Sequence, residues 1–136
     1  MITAGTRVAG VIGSPVRQSL SPVLHNAAFA QLGLDWVYLA FEVPAGQAAA
    51  ALDAMRVLGL AGLSVTMPHK EAVAAAVDKL DATASSLRSV NTVVALSDGS
   101  LVGHSTDGDG LIASLAAAGV VIGGRSVCVL GGGGAA

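Results

Sequence analysis

SVTMPHKEA, residues 64–72, decides how this chain is read. The apolar stretch LAGLSVTM (60–67) predicts a buried strand, and Pro68 ends it. HKEAVAAAV (69–77) predicts a helix immediately afterwards. Lys70 therefore falls at a helix start, where the positive end of the macrodipole is a poor place for a cation. The chain has only two lysines, Lys70 and Lys79, so the placement asks for a reason.

Working outward, the same strand-then-helix unit recurs upstream. RVAGVIG (7–13) is an apolar run ending in glycine, a first strand. SPVLHNAAFAQLG (21–33) predicts a helix with Ser21 as N-cap, Pro22 at the first helical position and Gly33 as the stop. WVYLAFEV (36–43), rich in β-branched and aromatic residues, predicts a second strand. PAGQAAAALDAMRVLG (44–59) predicts an Ala-rich helix closed by Gly59. This alternation implies βαβ units and a largely parallel sheet.

Downstream the rhythm changes. VNTVVAL (90–96) and LVGHS (101–105) flank SDGS (97–100), whose Asp98-Gly99 is a turn signal, so an antiparallel hairpin joins the sheet. DGDGLIASLAAAG (107–119) predicts a helix with acidic residues at its start. RSVCVL (125–130) predicts a buried strand, with Cys128 inside it, that runs into GGGGAA (131–136). The expected class is α/β. It is a three-layer domain with a mixed, mostly parallel sheet flanked by helices, followed by the first strand and Gly-rich turn of a truncated Rossmann domain.

The final glycines admit two readings. A strand, a Gly-rich turn and a helix N-terminus together cradle a pyrophosphate, because small residues let backbone N–H groups approach it. A flexible tail is the competing reading, since GGGGAA lacks the Lys-Ser/Thr of a P-loop. The preferred expectation is a fragment ending at the threshold of a nucleotide-binding domain.

Composition bounds the rest. The chain is 53% hydrophobic, with a mean hydropathy of +0.71. The charge-free segment 110–124 is interrupted by Gly119 and Gly123 and is shorter than the about 20 apolar residues a spanning helix needs. The apolar excess is mostly Ala, Val and Leu, as expected of buried parallel strands under small-residue helices. MITAGTRVAG lacks signal-peptide features and one cysteine allows no disulfide within the chain, which favours the cytoplasm. A net charge of −2 with scattered Arg and Lys argues against nucleic acid or an anionic membrane as partner.

Polar residues collect at strand ends, outside the carboxyl ends of the parallel strands where open α/β sheets bind ligands. They are the hydroxyls of Ser19 and Ser21, then Thr66, Lys70, Asn91 and Asp107. Together they suit a small hydroxylated acid. Lys70 and Asp107 are either a proton-transfer pair or a structural ion pair joining two loops, and spacing alone favours the ion pair. Lys79 is read as a solvated surface charge. His25, His69 and His104 have no metal-ligand spacing, so no metal site is expected.

GSPVRQSLSPVLHN, SVTMPHKEA, SVNTVV, GHSTDGDGL and VLGGGGAA, in this order, resemble the shikimate dehydrogenase family over essentially the whole chain. The resemblance implies NADP-linked interconversion of 3-dehydroshikimate and shikimate, in the pathway to aromatic amino acids. It makes Ser19 and Ser21 holders of the substrate carboxylate, and Thr66, Asn91 and Asp107 binders of ring hydroxyls. Lys70 becomes the catalytic acid/base, oriented by Asp107. Gly131, Gly132, Gly133, Gly134 and Ala135 would approach the cofactor pyrophosphate. Residues 1–106 are then the substrate-binding and catalytic domain, 107–124 a linking helix and loop, and 125–136 the start of the dinucleotide-binding domain. Such a fragment is expected to be inactive alone, its cofactor domain missing, and a homodimer is compatible. Ser64 and Ser105 stand where the family usually has Asn, and Arg88-Ser89 where it often has Gly-Ala. These departures leave open an NAD-linked quinate/shikimate dehydrogenase or an enzyme of an amino analogue. A non-catalytic module that binds a hydroxy acid is the alternative from another class.

Overall fold

Strand β1 (Arg7–Gly13) is the spine of a six-stranded sheet in the computed structural model, which describes residues 1–133. It pairs in parallel with β2 (Trp36–Glu42) on one side and β3 (Gly62–Val65) on the other. Helix α1 (Ser21–Gln31) makes the first crossover and α2 (Ala48–Leu58) the second. α3 (Lys70–Ala74), β4 (Lys79–Leu80) and α4 (Ala82–Leu87) follow. The hairpin β5 (Thr92–Ala95) and β6 (Leu101–His104) then adds antiparallel to β3, and α5 (Asp107–Ala117) leaves the sheet. The strand order is β2-β1-β3-β5-β6-β4, with β4 parallel to β6. The sheet is mixed and mostly parallel, as expected.

Two apolar clusters cover its faces. On one face Ile12, Leu63 and Val93 pack with Leu52 and Met55 of α2 and Val73 of α3. The buried residues of α2, Ala48, Leu52 and Met55, recur at helical spacing and form one stripe. Gly59 takes φ 66 to cap this helix, a conformation that glycine adopts without steric cost. On the other face Ala9, Val11, Val16 and Tyr38 pack with Phe29 and Trp36. No residue of α1 is buried, yet Asn26 ties it to β2 by donating to Tyr38 O and accepting from Tyr38 N, each at 2.9 Å.

Several expectations are corrected. Ser21 is the first residue of α1 and Leu20 occupies the N-cap position without a side-chain cap bond. α3 is five residues long, so Lys70 meets a much weaker dipole than a long helix would present. β4 and α4 were not expected within VDKLDATASSL, though Asp81 carries a cap signal there. It accepts from Ala84 N at 2.6 Å. Lys79 is exposed on the edge strand, in keeping with its reading as a surface charge.

The largest correction concerns residues 125–130, which form no strand. Strand structure requires a pairing partner, and none of the six strands pairs with this segment. Val127 and Val129 are consequently exposed, and Cys128, expected inside a buried strand, is exposed as well. No helix among the described residues is long and apolar enough to cross a membrane.

Candidate active site

The topology delivers four chain segments to one end of the sheet. β1, β3 and β6 run in the same direction, so the loops after them emerge together. β5 runs the other way, and its entry at Asn91 therefore lies at that same end. These segments enclose a cleft of about 550 Å³ whose lining includes Ser19, Ser21, Thr66, Lys70, Asn91 and Asp107. All six candidate substrate residues read from the sequence thus meet in one place. A second concavity, of about 480 Å³ beside Glu71, Leu80 and Arg88, lacks such a convergence of polar groups.

Backbone bonds fix each wall. Thr66 N donates to Ile12 O at 3.0 Å and Ser14 N donates to Met67 O at 3.0 Å, binding the β1 and β3 loops together. A Cβ on Gly13 would collide with Thr66 Cγ2, so glycine permits this approach. The Glu42 carboxylate accepts from Val16 N at 3.1 Å and steadies the segment leading to Ser19. That Val16 N–H, then the Ser14 hydroxyl, holds its carboxyl below the ordinary range. Ser19 Oγ accepts from Ser21 N at 3.3 Å, which leaves its proton available to a ligand.

The floor of the cleft is a charge-assisted network. Lys70 Nζ donates to Asp107 Oδ2 at 2.5 Å, with the Lys70 side chain 13% exposed and that of Asp107 44%. Asn91 Nδ2 donates to Asp107 Oδ1 at 2.7 Å and to Thr106 Oγ1 at 2.9 Å. Asn91 Oδ1 in turn accepts from Thr106 N at 3.1 Å and Thr92 Oγ1 at 3.1 Å. Each Asp107 oxygen accepts one of these bonds and keeps a lone pair for a ligand hydroxyl, and Lys70 is held with further N–H donors for a ligand. Val90 N donates to Lys70 O at 3.1 Å, anchoring the lysine backbone to the entry of β5.

Sequence reasoning missed His25 and Ser64, which also line the cleft. The His25 ring stacks on Tyr38, with centroids 4.2 Å apart. Tyr38 OH donates to Ser64 Oγ at 2.6 Å. Burial pushes the Tyr38 hydroxyl above its ordinary value, against a smaller opposing effect of the Ser64 hydrogen bond. His69 is buried beside the site and donates from Nε2 to Val43 O at 2.8 Å, a structural role.

The Gly-rich end stands apart. Built Cβ atoms on Gly131, Gly132 and Gly133 meet no atom within 4 Å, so these residues stand in open space. Gly134 and Ala135 lie outside the described residues. No cluster of metal-ligating side chains occurs among the described residues.

Fold and cleft together define an α/β small-molecule-binding domain with a lysine–aspartate pair at the floor of its site. The family model described as shikimate dehydrogenase substrate binding domain matches residues 11–93. An NADP(+) shikimate dehydrogenase of Thermococcus kodakarensis is 51% identical over 135 residues, covering 99% of this chain and 49% of that relative. A Thermus thermophilus shikimate 5-dehydrogenase solved with shikimate superposes with TM-score 0.88 at 36% identity, over 95% of this chain and 49% of the other. A Listeria monocytogenes shikimate 5-dehydrogenase solved with shikimate and NAD gives TM-score 0.83 at 46% identity, over 89% of this chain and 42% of the other. The chain belongs to the shikimate dehydrogenase family. It spans about half the length of the curated relatives it matches.

Proposed function

We propose that this chain is the substrate-binding and catalytic part of an NADP-dependent shikimate dehydrogenase, which interconverts 3-dehydroshikimate and shikimate. Residues 1–106 form the substrate domain, 107–124 link it onward, and 125–136 open a cofactor domain. The observation that carries the reading is the Lys70–Asp107–Asn91 network in a cleft whose lining also includes Ser19 and Ser21.

The chemistry follows from the side chains. Reduction of a ring ketone places negative charge on its oxygen, and the Lys70 ammonium stabilises that oxygen and delivers its proton there. Asp107 keeps Lys70 aimed, while Asn91 fixes Asp107. Ser19 and Ser21 hold the carboxylate, and Thr66, Asn91 and Asp107 take ring hydroxyls. A nicotinamide cofactor supplies the hydride, and it is NADP by the names of the relatives. The reading needs no nucleic-acid or membrane partner, is compatible with a homodimer, and places the protein in the cytoplasm.

A second reading, an NAD-linked quinate/shikimate dehydrogenase, is favoured by the NAD in the Listeria complex. The test is turnover by the longest protein product that carries these residues. Shikimate with NADP is expected to give the highest kcat/KM among shikimate or quinate with NADP or NAD. Preference for quinate with NAD selects the second reading. Binding of shikimate without turnover by any pair leaves only a binding module. The isolated 136 residues are expected to show no dehydrogenase activity.

A further inference from the structure

Tyr38, Ala9, Val11 and Ser64 share one face of the sheet. Tyr38 lies in register with Ala9 and Ser64 with Val11, on the strands either side of β1. The phenol ring crosses β1 over these small side chains and ends 2.6 Å from Ser64 Oγ. Its position is set on three sides. Asn26 holds the Tyr38 backbone N–H and C=O, His25 stacks on the ring, and the residue is 4% exposed. Ser64 lines the cleft, whereas Tyr38 lies behind it.

We propose that Tyr38 is a positioning residue that acts through Ser64, turning the Ser64 hydroxyl into a hydrogen-bond donor aimed at the substrate carboxylate beside Ser19 and Ser21. The inference rests on the functional reading above and adds one link to it. A buried phenol must place its proton on an acceptor, and Ser64 Oγ is the one it has. A serine that accepts this bond keeps its own proton. Among the described residues Ser64 Oγ donates to no protein acceptor, so its proton is available to the cleft. Ser19 is prepared in the same way, since Ser21 N–H donates to its oxygen. Two hydroxyls that already accept thus face the ligand as donors, which suits an acceptor-only carboxylate. The chain Tyr38 to Ser64 to carboxylate is also cooperative, because each bond polarises the next.

Steady-state kinetics on the longest protein product, with shikimate varied at saturating NADP, tests the proposal. Tyr38→Phe keeps the ring and its stacking and removes only the proton. It is expected to raise KM for shikimate about three- to ten-fold, the effect of one hydrogen bond, with kcat changed less than about two-fold. Ser64→Ala is expected to raise KM at least as much, and the double variant no further than Ser64→Ala alone. Ser64→Thr, which retains the hydroxyl, should restore KM to near the wild-type value. Multiplying effects of the two substitutions, or an unchanged KM in both, overturns the proposal. Should Tyr38→Phe not fold, the comparison of Ser64→Ala with Ser64→Thr decides it, equal KM values overturning it. A wild-type protein that turns over no shikimate overturns the functional reading and this inference with it, whereas turnover with unresponsive variants overturns the inference alone.

Discussion

Lys70 Nζ and Asp107 Oδ2 lie 2.5 Å apart although 37 positions separate them in sequence. The contact exists because β3 and β6 point the same way and end at the same end of the sheet, bringing the starts of α3 and α5 within reach of one another. Asn91, at the entry to β5 between them, bonds the second Asp107 oxygen at 2.7 Å. The network also explains a lysine at a helix start, because Asp107 supplies the favourable charge that the dipole does not.

Replacing Lys70 by Ala in the longest protein product should lower kcat by about 10²–10⁴-fold, as for loss of a general acid, with only a few-fold rise in KM. Asp107→Asn should also lower kcat, since it removes the charge that keeps Lys70 aimed. Initial-rate kinetics in both directions check this. Unchanged kcat with weaker binding would reassign Lys70 to substrate recognition.

Asp81 governs the corner that sequence reasoning overlooked. Its carboxylate caps α4, and His104 Nδ1 lies 2.9 Å from its second oxygen. The Ala84 N–H chiefly, helped by His104, holds the carboxyl below its ordinary value. A depressed carboxyl stabilises the fold in full above its unfolded value of about 3.9, and loses that contribution as pH falls through the folded value. Asp81→Ala should therefore cost about 1 kcal/mol at pH 7, the usual cost of a lost cap. Thermal melts of wild type and variant should converge as pH drops below the ordinary carboxylate range. A gap that stays constant with pH would mean that the charge contributes nothing.

Arg88 ends α4 with φ 50, the one positive φ at a non-glycine residue among those described. A left-handed conformation costs a residue with a Cβ about 1–2 kcal/mol, while glycine loses about 0.5–1 kcal/mol of unfolded-state freedom. Arg88→Gly should thus stabilise by about 0.5 kcal/mol, seen as a higher midpoint in urea at unchanged slope. A lower midpoint would mean that the arginine side chain contributes contacts outweighing its strain.

The fold was largely legible because its signals are local. Apolar runs, the Asp98-Gly99 turn and Gly59 each mark an element by the chemistry of a few residues. The candidate site was legible at Ser19, Ser21, Thr66, Lys70, Asn91 and Asp107 because strand ends in α/β sheets converge. What escaped depends on distant partners. Tyr38 reads as an ordinary strand residue until β1 brings it within reach of Ser64. RSVCVL reads as a buried strand, but no apolar pattern supplies the neighbour it must pair with. β4 is too short to carry a pattern at all.

Gly13 is where packing and binding meet, and it yields the sharpest test of how the cleft is held. A Cβ there collides with Thr66 Cγ2 and stands 3.2 Å from Met67 O, so the loop after β3 must retreat. Gly13→Ala should destabilise by about 1–3 kcal/mol, the range for overpacking, and raise KM by shifting Thr66 in the cleft. Thr66→Ser removes the colliding methyl and keeps the hydroxyl. Combined with Gly13→Ala it should recover most of the lost melting temperature, and with it the affinity for shikimate. Recovery of stability without recovery of KM would show that the Thr66 methyl itself contacts the ligand. No loss from Gly13→Ala would mean that the loop is free to move, and that the Ser14–Met67 and Thr66–Ile12 bonds do not hold it rigid.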